Sequence, residues 1–331
     1  MKHFYETAIS SSPHIRSKDN TQTIMRDVVV ALLPALAGAC YFFGFRALVL
    51  AVVSCAASVF FEWAYRKIMK LDSTVYDGSA VVTGLLIAMV CPVGLPYWAL
   101  IIGDFFAIIV VKQLFGGIGK NFMNPALAAR AFMLSWPALM TTWAASGSRT
   151  PIFQSTSAAL DAVSSATPLS ALHVGALPVS SVLDSFVGNI GGSMGETSAL
   201  LLLVGGLYLL VRKVISPRIP LCFLGTVALL TFLFPQGNER LTWMLYQVCS
   251  GGLMLGAIFM ATDYVTSPVT KKGQVLFAVG CGALTVFIRY FGSYPEGVSY
   301  AILVMNACVV LLDKLGIPKR FGVPTKGGNQ A

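Results

Sequence analysis

The sequence holds 331 residues, of which 56% are hydrophobic and only 11% are charged. A soluble domain carries about a quarter charged residues, so this composition excludes an ordinary soluble protein and indicates a chain embedded in a lipid bilayer. The net charge of +9 does not indicate nucleic-acid binding, because the basic residues lie in short connections between apolar runs and form no basic patch.

Ten apolar runs are predicted to form helices, because each approaches the length that crosses a bilayer and lipid-exposed backbone must satisfy its own hydrogen bonds. The first 27 residues are polar and include four basic residues, so no cleavable signal peptide is expected. In chain order the predicted segments are 28–45, 47–65, 78–92, 97–115, 121–140, 197–211, 219–235, 242–262, 274–291 and 298–313.

The Lys and Arg residues predict how these segments are oriented. Eighteen of the 23 fall on one side of the membrane, four fall on the other, and Arg130 lies inside the fifth segment. The more basic side is expected in the cytoplasm, together with both termini. The predicted organisation is a cytoplasmic N-terminal segment (1–27), a first five-helix repeat (28–140), a long extracytoplasmic loop (141–196), a second five-helix repeat (197–314) and a cytoplasmic tail (315–331).

The two halves resemble each other in the order of their interruptions. The first half reads Cys91-Pro92, an apolar run, Lys112 and Phe115-Gly116-Gly117; the second reads Ser267-Pro268, an apolar run, Arg289 and Phe291-Gly292-Ser293. An odd number of segments per half inverts the second copy, and interrupted segments in matching places favour a binding site between the halves. The predicted fold class is an all-α polytopic membrane protein with about ten transmembrane helices in two inverted five-helix repeats.

The loop 141–196 is long for a compact membrane protein, and long connections are often functional. Its centre runs from Asp161 to Leu169 and is rich in Ser, Thr and Ala. Pro168 biases Thr167 toward an extended backbone, so the Thr167 hydroxyl is expected to project from a turn of small residues. On physical grounds alone, the same threonine also fits an ordinary solvated loop residue.

Two stretches resemble motifs of known families. Asp161 followed by Ser164-Ser165-Ala166-Thr167 resembles the flavinylation motif of the membrane subunits B and D of the sodium-pumping NADH:quinone oxidoreductase and the Rnf-type ferredoxin:NAD⁺ oxidoreductase. The run from Phe115 to Phe132 looks like a second signature of these families. The length and helix pattern are similar to the D subunits of the Rnf type. Family members often have Gly where Ala162 and Ser165 stand here.

The resemblance implies two flavins. Thr167, in what would be a flavin-bearing loop, would carry FMN through a phosphoester made by a separate flavin transferase, and Asp161, Ser164 and Ala166 would belong to the attachment motif. A non-covalent riboflavin is implied in the membrane domain near the cytoplasmic side. Its matching positions are Asn121 and Asn124, with Asp263 in the corresponding place of the second half. A simple helix N-cap is the alternative role for these asparagines.

The resemblance also implies partners and a location. The chain would pass electrons between ferredoxin and NAD⁺ while Na⁺ or H⁺ crosses a bacterial or archaeal cell membrane. It has no dinucleotide fingerprint, and its seven cysteines lie apart from one another, so no iron–sulfur or zinc site is expected. Other membrane and peripheral subunits, including iron–sulfur subunits and another flavinylated subunit, must supply those centres.

Charged residues within the apolar segments are functional candidates, because burying a charge in a membrane is expensive. Asp104 lies near the middle of the fourth segment, where it fits either an ion path or a structural pair with Arg130. Arg130 also fits a pair with an acidic residue of the other half. Glu62 is a further candidate for the ion path, or it extends toward the membrane surface or pairs with Arg66.

If the two motifs are set aside, the rest of the sequence also fits two other functions. The first is a self-contained channel or secondary transporter with inverted repeats, similar to ammonium or urea channels. The second is a purely structural anchoring subunit. A covalent flavin on Thr167 would discriminate the redox subunit from the transporter.

Overall fold

The computed structural model describes residues 20–153, 167–237 and 239–317. Every regular element in these ranges is helical, which confirms the predicted all-α class. Three predicted motif residues, Asp161, Ser164 and Ala166, lie outside the described residues.

The helices are named here in chain order. They are α1 (Thr21–Phe43), α2 (Arg46–Ile68), α3 (Ser79–Val90), α4 (Tyr97–Phe105, continued by a π-helix over Phe106–Gln113), α5 (Pro125–Met133), α6 (Pro137–Met140), α7 (Pro168–His173), α8 (Val182–Val187), α9 (Ala199–Val211), α10 (Arg218–Leu233), α11 (Arg240–Cys249), α12 (Leu253–Leu255, continued by a π-helix over Gly256–Met260), α13 (Lys271–Phe291) and α14 (Val298–Gly316). A short 3-10 helix spans Val75–Asp77.

Several of these helices have the length and composition of membrane spans. Within the described residues, α1, α2, α13 and α14 are long and apolar enough to cross a membrane, and α11 with α12 forms a fifth candidate bent by 63°. The helices α3, α9 and α10 are shorter but also apolar. The chain is therefore a multi-pass membrane protein.

Helix boundaries follow local sequence signals. The helix α1 begins at Thr21, before the predicted start at 28, because Asn20 and Thr23 form a reciprocal capping box. The single helix predicted over 121–140 is wrong, since Pro125 starts α5 and Pro137 starts α6. The single helix predicted over 242–262 is also wrong. It breaks between α11 and α12, where Gly251 has a φ of 69°.

Side-chain contacts define two ends of the helix assembly. At the basic end, Arg212 after α9 contacts Asp27 of α1 at 3.0 Å, and Lys112 of α4 contacts Glu62 of α2 at 2.8 Å. At the opposite end, called the loop end, buried Arg46 donates hydrogen bonds to the carbonyl oxygens that follow α3, at 2.8 and 3.1 Å. The same guanidinium also donates to the carbonyl oxygens of 151 and 152.

The two halves pack around one apolar core. The helix α1 packs on α9, α2 packs on α3 and α4, and α13 packs on α10 and α14. The helix α5 contacts α14, which joins the first half to the second. The core lies between these helices and is dominated by Ala, Leu, Met and Phe.

Candidate functional site: two cavities at opposite ends

Thr167 is the N-cap residue of α7 at the loop end. Its backbone is extended (φ −77°, ψ 151°), as predicted from the following proline, and its Oγ1 accepts a hydrogen bond from Ser170 N at 3.2 Å. The helix α7 packs on α11, because Leu169 and Leu172 are buried against Trp243 and Tyr246. The Thr167 side chain is therefore held in place, and among the described residues its hydroxyl donates no hydrogen bond.

Three adjoining cavities meet at Thr167. The one that extends toward α5 is called the Thr167 cavity and encloses about 970 Å³ of space including its open mouth. Its lining residues are Arg130, Leu134, Met140, Thr141, Trp143, Thr167, Ser170, Ser293, Tyr294, Pro295 and Glu296. It offers two aromatic side chains and a charged wall next to the Thr167 hydroxyl.

The charged wall of the Thr167 cavity is a cluster of three side chains. Arg130 of α5 is paired with Glu196, which precedes α9, and with Glu296, which lies between α13 and α14. The second contact to Glu196 measures 3.3 Å. The predicted pair between Arg130 and an acid of the other half is thus confirmed, whereas the alternative pair with Asp104 is wrong. Arg130 points toward the loop end, where these two carboxylates are available.

A second cavity lies at the basic end and is called the Asn121 cavity. It brings together Asn121, Asn124 and Asp263, three residues that the sequence placed in one site although 142 positions separate the first from the last. The cavity encloses about 620 Å³ including its mouth, and Lys112, Ser79 and Thr83 also line it.

The two asparagines of this cavity differ in how much hydrogen-bonding capacity they retain. Asn124 is the N-cap of α5: its Oδ1 accepts from Ala126 N and Leu127 N, while its Nδ2 donates to Met260 O at 3.3 Å. The cap role left open by the sequence is therefore confirmed for Asn124. Asn121 donates to Met123 O at 3.1 Å, and its side-chain oxygen accepts no hydrogen bond from the described residues, so that oxygen is available to a ligand.

Lys112 forms the cationic side of the Asn121 cavity. Its Nζ lies 2.8 Å from Glu62 and 2.7 Å from the Ser79 hydroxyl, and both charged side chains are almost fully buried. The predicted pair of Glu62 with Arg66 is wrong, as is the alternative of a side chain extended to the membrane surface. A buried carboxylate gains more from a cation in the same dry interior than from an exposed neighbour on its own helix.

Asp104 is fully buried at the contact of α2, α3 and α4. Its Oδ1 accepts hydrogen bonds from the hydroxyls of Ser54 at 2.7 Å and Ser58 at 3.2 Å. Its Oδ2 has no hydrogen-bond partner among the described residues. Asp104 is thus held by neutral groups, which distinguishes it from Glu62 and the two carboxylates around Arg130.

The comparisons with known proteins identify the family. A model of the NQR2, RnfD, RnfE family matches residues 8–322. The chain belongs to this family. The family resemblance stated from the Thr167 motif and the run from Phe115 to Phe132 is confirmed.

Several relatives within this family match almost the whole chain. The D subunit of the Na⁺-translocating ferredoxin:NAD⁺ oxidoreductase complex of Acetobacterium woodii is 48% identical, over 95% of each chain. The D subunit of the proton-translocating ferredoxin:NAD⁺ oxidoreductase complex of Clostridium ljungdahlii is 42% identical, over 95% of this chain and 96% of the relative. The D subunit of the ion-translocating oxidoreductase complex of Stutzerimonas stutzeri is 39% identical, over 94% of each.

Sequence reasoning found Thr167, Asn121, Asn124 and Asp263 for the two cavities, but it did not assign Lys112, Glu196 or Glu296 to either site. One signal was present for the carboxylates: Arg130 within an apolar segment requires an anion. The sequence did not show which acid would meet it, because Glu196 and Glu296 lie 66 and 166 positions away.

Proposed function

We propose that this chain is the membrane subunit of an ion-translocating complex that passes electrons between ferredoxin and NAD⁺ through bound flavins. The relatives described above are named as subunits of such complexes. One observation carries the proposal: Thr167, which ends the stretch that resembles the flavinylation motif, stands at the start of a helix and lines a cavity large enough for an aromatic ring system. In this role the protein positions the flavin and sets its electrostatics, and the flavin supplies the redox chemistry.

The covalent flavin of this proposal is FMN, held by a phosphoester on Thr167 that a separate flavin transferase makes. The site fits that linkage, because an ester oxygen still accepts the hydrogen bond from Ser170 N, so modification leaves the cap of α7 in place. Trp143 and Tyr294 offer apolar contact to a flat ring within the cavity. The motif residues Asp161, Ser164 and Ala166 remain part of the attachment proposal on sequence grounds.

Riboflavin is the second proposed cofactor, in the Asn121 cavity. The free side-chain oxygen of Asn121, the carboxylate of Asp263 and the ammonium group of Lys112 offer both acceptors and a donor to the polar edge of a flavin ring. Acid extraction of the native protein is expected to release riboflavin, which chromatography would identify. A preparation that releases none would remove this cofactor from the proposal.

We infer that the chain crosses the membrane about ten times in two inverted repeats, with the basic end in the cytoplasm. One relation supports the repeat. Lys112, near the end of α4 and its π-helix, contacts Ser79 at the start of α3 at 2.7 Å. Arg289, near the end of α13, contacts the carbonyl oxygen of Ser250 just before α12 at 3.1 Å. In each half a basic side chain thus contacts a serine near the start of another helix, through the hydroxyl in the first half and through the backbone carbonyl in the second, at opposite ends of the molecule.

Asp104 is the proposed contribution of this chain to the ion route. It is a buried carboxylate held by neutral groups, so it retains a capacity to bind Na⁺ or H⁺ that Glu62 has already used in its ion pair with Lys112. Asp104→Asn is expected to impair ion transport in the assembled complex more than electron transfer. Equal ion transport by the variant and the wild type would end this assignment.

In this role the chain works with other subunits within a bacterial or archaeal cell membrane. Among the described residues, no three His, Cys, Asp or Glu side chains come together as metal ligands. We expect electrons to reach and leave the flavins through other membrane and peripheral subunits, including iron–sulfur subunits and another flavinylated subunit.

A denaturing gel viewed under ultraviolet light tests the central claim. The wild-type chain, coexpressed with its flavin transferase, is expected to give a fluorescent band, and Thr167→Ala and Thr167→Asn are expected to give none. Asn is as good an N-cap as Thr, so Thr167→Asn separates loss of attachment from loss of α7. Thr141→Ala removes another hydroxyl from the same cavity and should stay fluorescent. A dark wild-type band or a fluorescent Thr167→Asn band would contradict the proposal.

A further inference from the structure

Arg130 forms ion pairs with two carboxylates, Glu196 and Glu296, while the second nearby cation, Arg289, lies beside Gly251 and is not in an ion pair with either of them. Arg130 and Glu196 are 3% and 5% exposed, respectively, whereas Glu296 is 19% exposed. The remaining exposure of Glu296 opens into the Thr167 cavity and into the adjoining cavity beside Glu196. Glu296 is thus the most exposed member of the cluster and lines both cavities, although its Oε1 is itself buried.

The second oxygen of Glu296 has no side-chain partner among the described residues. Its Oε2 contacts Arg130, whereas its Oε1 is buried and approaches only the backbone of Gly252. The Oε1 atoms of Glu196 and Glu296 both approach Gly252 so closely that a Cβ added there would overlap each of them. The Glu196 and Glu296 carboxylates thus converge on the backbone of Gly252, and the Arg130 guanidinium is the cation that contacts both of them.

Other titratable groups face the same place. Arg289 of α13 lies beside Gly251, and Tyr294 and Tyr300 lie on the segment that carries Glu296. Burial raises the pKa of Glu296, the Glu196 charge raises it further, and Arg130 and Arg289 lower it. The remaining neighbour of the cluster is the thiol of Cys91, which is buried beside Arg130 and Glu196.

We propose that Glu296 is the proton-binding group that compensates the charge of an electron arriving on the flavin at Thr167. This inference rests on the proposed function. The electron comes from the ferredoxin side of the complex through a partner protein and raises the negative charge in the cavity by one. A proton that enters from the loop end through the cavity would then bind Glu296 and convert its carboxylate into a neutral acid. Oxidation of the flavin reverses both steps, so charge balances in each direction.

The physical reason is the Coulomb energy of like charges in a cavity that excludes most water. The repulsion between an added electron and an existing carboxylate is several times stronger in such a cavity than in bulk water. Two interacting groups of this kind titrate together, so the affinity of Glu296 for a proton and the affinity of the flavin for an electron increase each other.

Redox titration of the covalent flavin at a series of pH values tests this coupling. Glu296→Gln removes the charge and keeps the shape of the side chain. At acid pH, where Glu296 is protonated in both redox states, the variant and the wild type are expected to have the same midpoint potential. As the pH rises and Glu296 ionises in the wild type, the midpoint potential of the variant should rise above that of the wild type by ~59 mV. For one electron this is about a tenfold change in the equilibrium constant for reduction. The matched control is Glu239→Gln, an exposed carboxylate of the loop end outside the cavities, which should follow the wild type.

Infrared difference spectroscopy gives a second measurement that does not require the variant to bind flavin. Reduction of the wild-type protein is expected to produce a band from a protonated carboxyl group that shifts in heavy water. In the flavin-free Thr167→Asn protein, a pH titration should show the same carboxyl group, and the additional change Glu296→Gln should remove it.

The outcomes separate this inference from the proposed function. Parallel potential curves for the variant and the wild type, or reduction without a new carboxyl band, would overturn the role of Glu296 while the flavin stays attached. A wild-type chain without fluorescence on the gel would instead overturn the proposed function. The pH titration of the flavin-free protein would then still decide whether Glu296 binds a proton.

Discussion

Glu62 and Lys112 form a salt bridge that is shielded from water on both sides, with 1% and 4% of the side chains exposed. The Ser79 hydroxyl and the Thr74 hydroxyl complete its hydrogen bonds, at 2.7 and 2.6 Å. A buried pair of this kind is costly to break, because removal of one partner leaves the other charged and desolvated. The pair also fixes the position of the cation at the Asn121 cavity.

Glu62→Gln is therefore expected to destabilise the protein by about 3–5 kcal/mol, and Lys112→Met by a similar amount. The double change Glu62→Met with Lys112→Met should lose less than the sum of the single changes, since it leaves no unpaired charge. Thermal unfolding of the solubilised protein, followed by size-exclusion chromatography, measures these differences.

The pair between Asp27 and Arg212 serves as the control for this prediction. Arg212 is 49% exposed whereas Asp27 is 9% exposed, so removal of Asp27 leaves a cation that water still reaches, and pairs open to water contribute about 0–1 kcal/mol. Asp27→Asn should therefore change the unfolding temperature much less than Glu62→Gln. Equal shifts for the two variants would show that burial does not govern the energy of these pairs.

The sequence predicted the presence of charges in the interior, but the partners that it offered as alternatives for Glu62 and Asp104, which were Arg66 and Arg130, are not the ones that the structure shows. The spacing rule that pairs Glu62 with Arg66 applies to exposed helix faces, where neighbours four positions apart meet. Glu62 lies instead on the buried face of α2, which meets the end of the π-helix that carries Lys112. Asp104 likewise meets Ser54 and Ser58 of α2, because its own helix packs there.

The contact between α2 and α3 depends on a position without a side chain. A Cβ on Gly84 of α3 would lie 2.7 Å from the carbonyl oxygen of Ser54 and 2.9 Å from the backbone of Cys55. The Ser54 hydroxyl lies 2.7 Å from the Gly84 carbonyl oxygen and shares its single hydrogen between that oxygen and Asp104, so the two helices are in direct contact here. Small residues at such crossings permit close helix packing within membranes.

Gly84→Ala is expected to destabilise the protein by about 1–3 kcal/mol, because the atoms that it would meet belong to backbone and cannot turn aside. Since Ser54 also holds Asp104, the same change should disturb the proposed ion route. Gly225→Ala on α10 is the control, because nothing lies within 4 Å of its added Cβ. That change should be neutral or stabilise by up to about 1 kcal/mol. Thermal unfolding of the two variants measures this difference. A Gly84→Ala protein that unfolds at the same temperature as the wild type would contradict the close packing of α2 on α3.

At the scale of elements, the sequence predicted most helices and missed their breaks. The long apolar runs that became α1, α2, α13 and α14 are bounded by Gly, Pro or basic residues that mark their ends. The divisions at Pro137 and at Gly251-Gly252 were hidden, because apolar residues continue on both sides of each break. The π-helices over Phe106–Gln113 and Gly256–Met260 have no sequence signal that distinguishes them from ordinary helix.

At the scale of the whole molecule, the two cavities lie at opposite ends of the helix assembly. Lys112 and Glu62 mark the end with the Asn121 cavity, whereas Arg130 and Glu296 mark the end with the Thr167 cavity. Asn124 connects the halves at the basic end through Met260 O, and Arg130 connects them at the loop end through Glu296. Flavins in both cavities would place redox centres near both membrane surfaces, as a transmembrane electron path requires.

This arrangement predicts which end faces the cytoplasm. Ala145 is exposed at the loop end and Ser73 is exposed at the basic end, and each accepts a cysteine with little change in size. The charge distribution places the basic end inside the cell. In intact spheroplasts, a thiol reagent that cannot cross membranes is expected to label Ala145→Cys. It should label Ser73→Cys only after the membrane is permeabilised.

The wild-type chain provides the background for this labelling, because its cysteines among the described residues are buried or half-buried. Labelling of Ser73→Cys in intact spheroplasts, with Ala145→Cys protected, would reverse the orientation. Thr167 would then face the cytoplasm, and the proton bound by Glu296 would be drawn from the inner aqueous phase. Because the side of proton uptake sets the sign of any charge moved during flavin reduction, this measurement fixes the direction in which the proposed coupling acts.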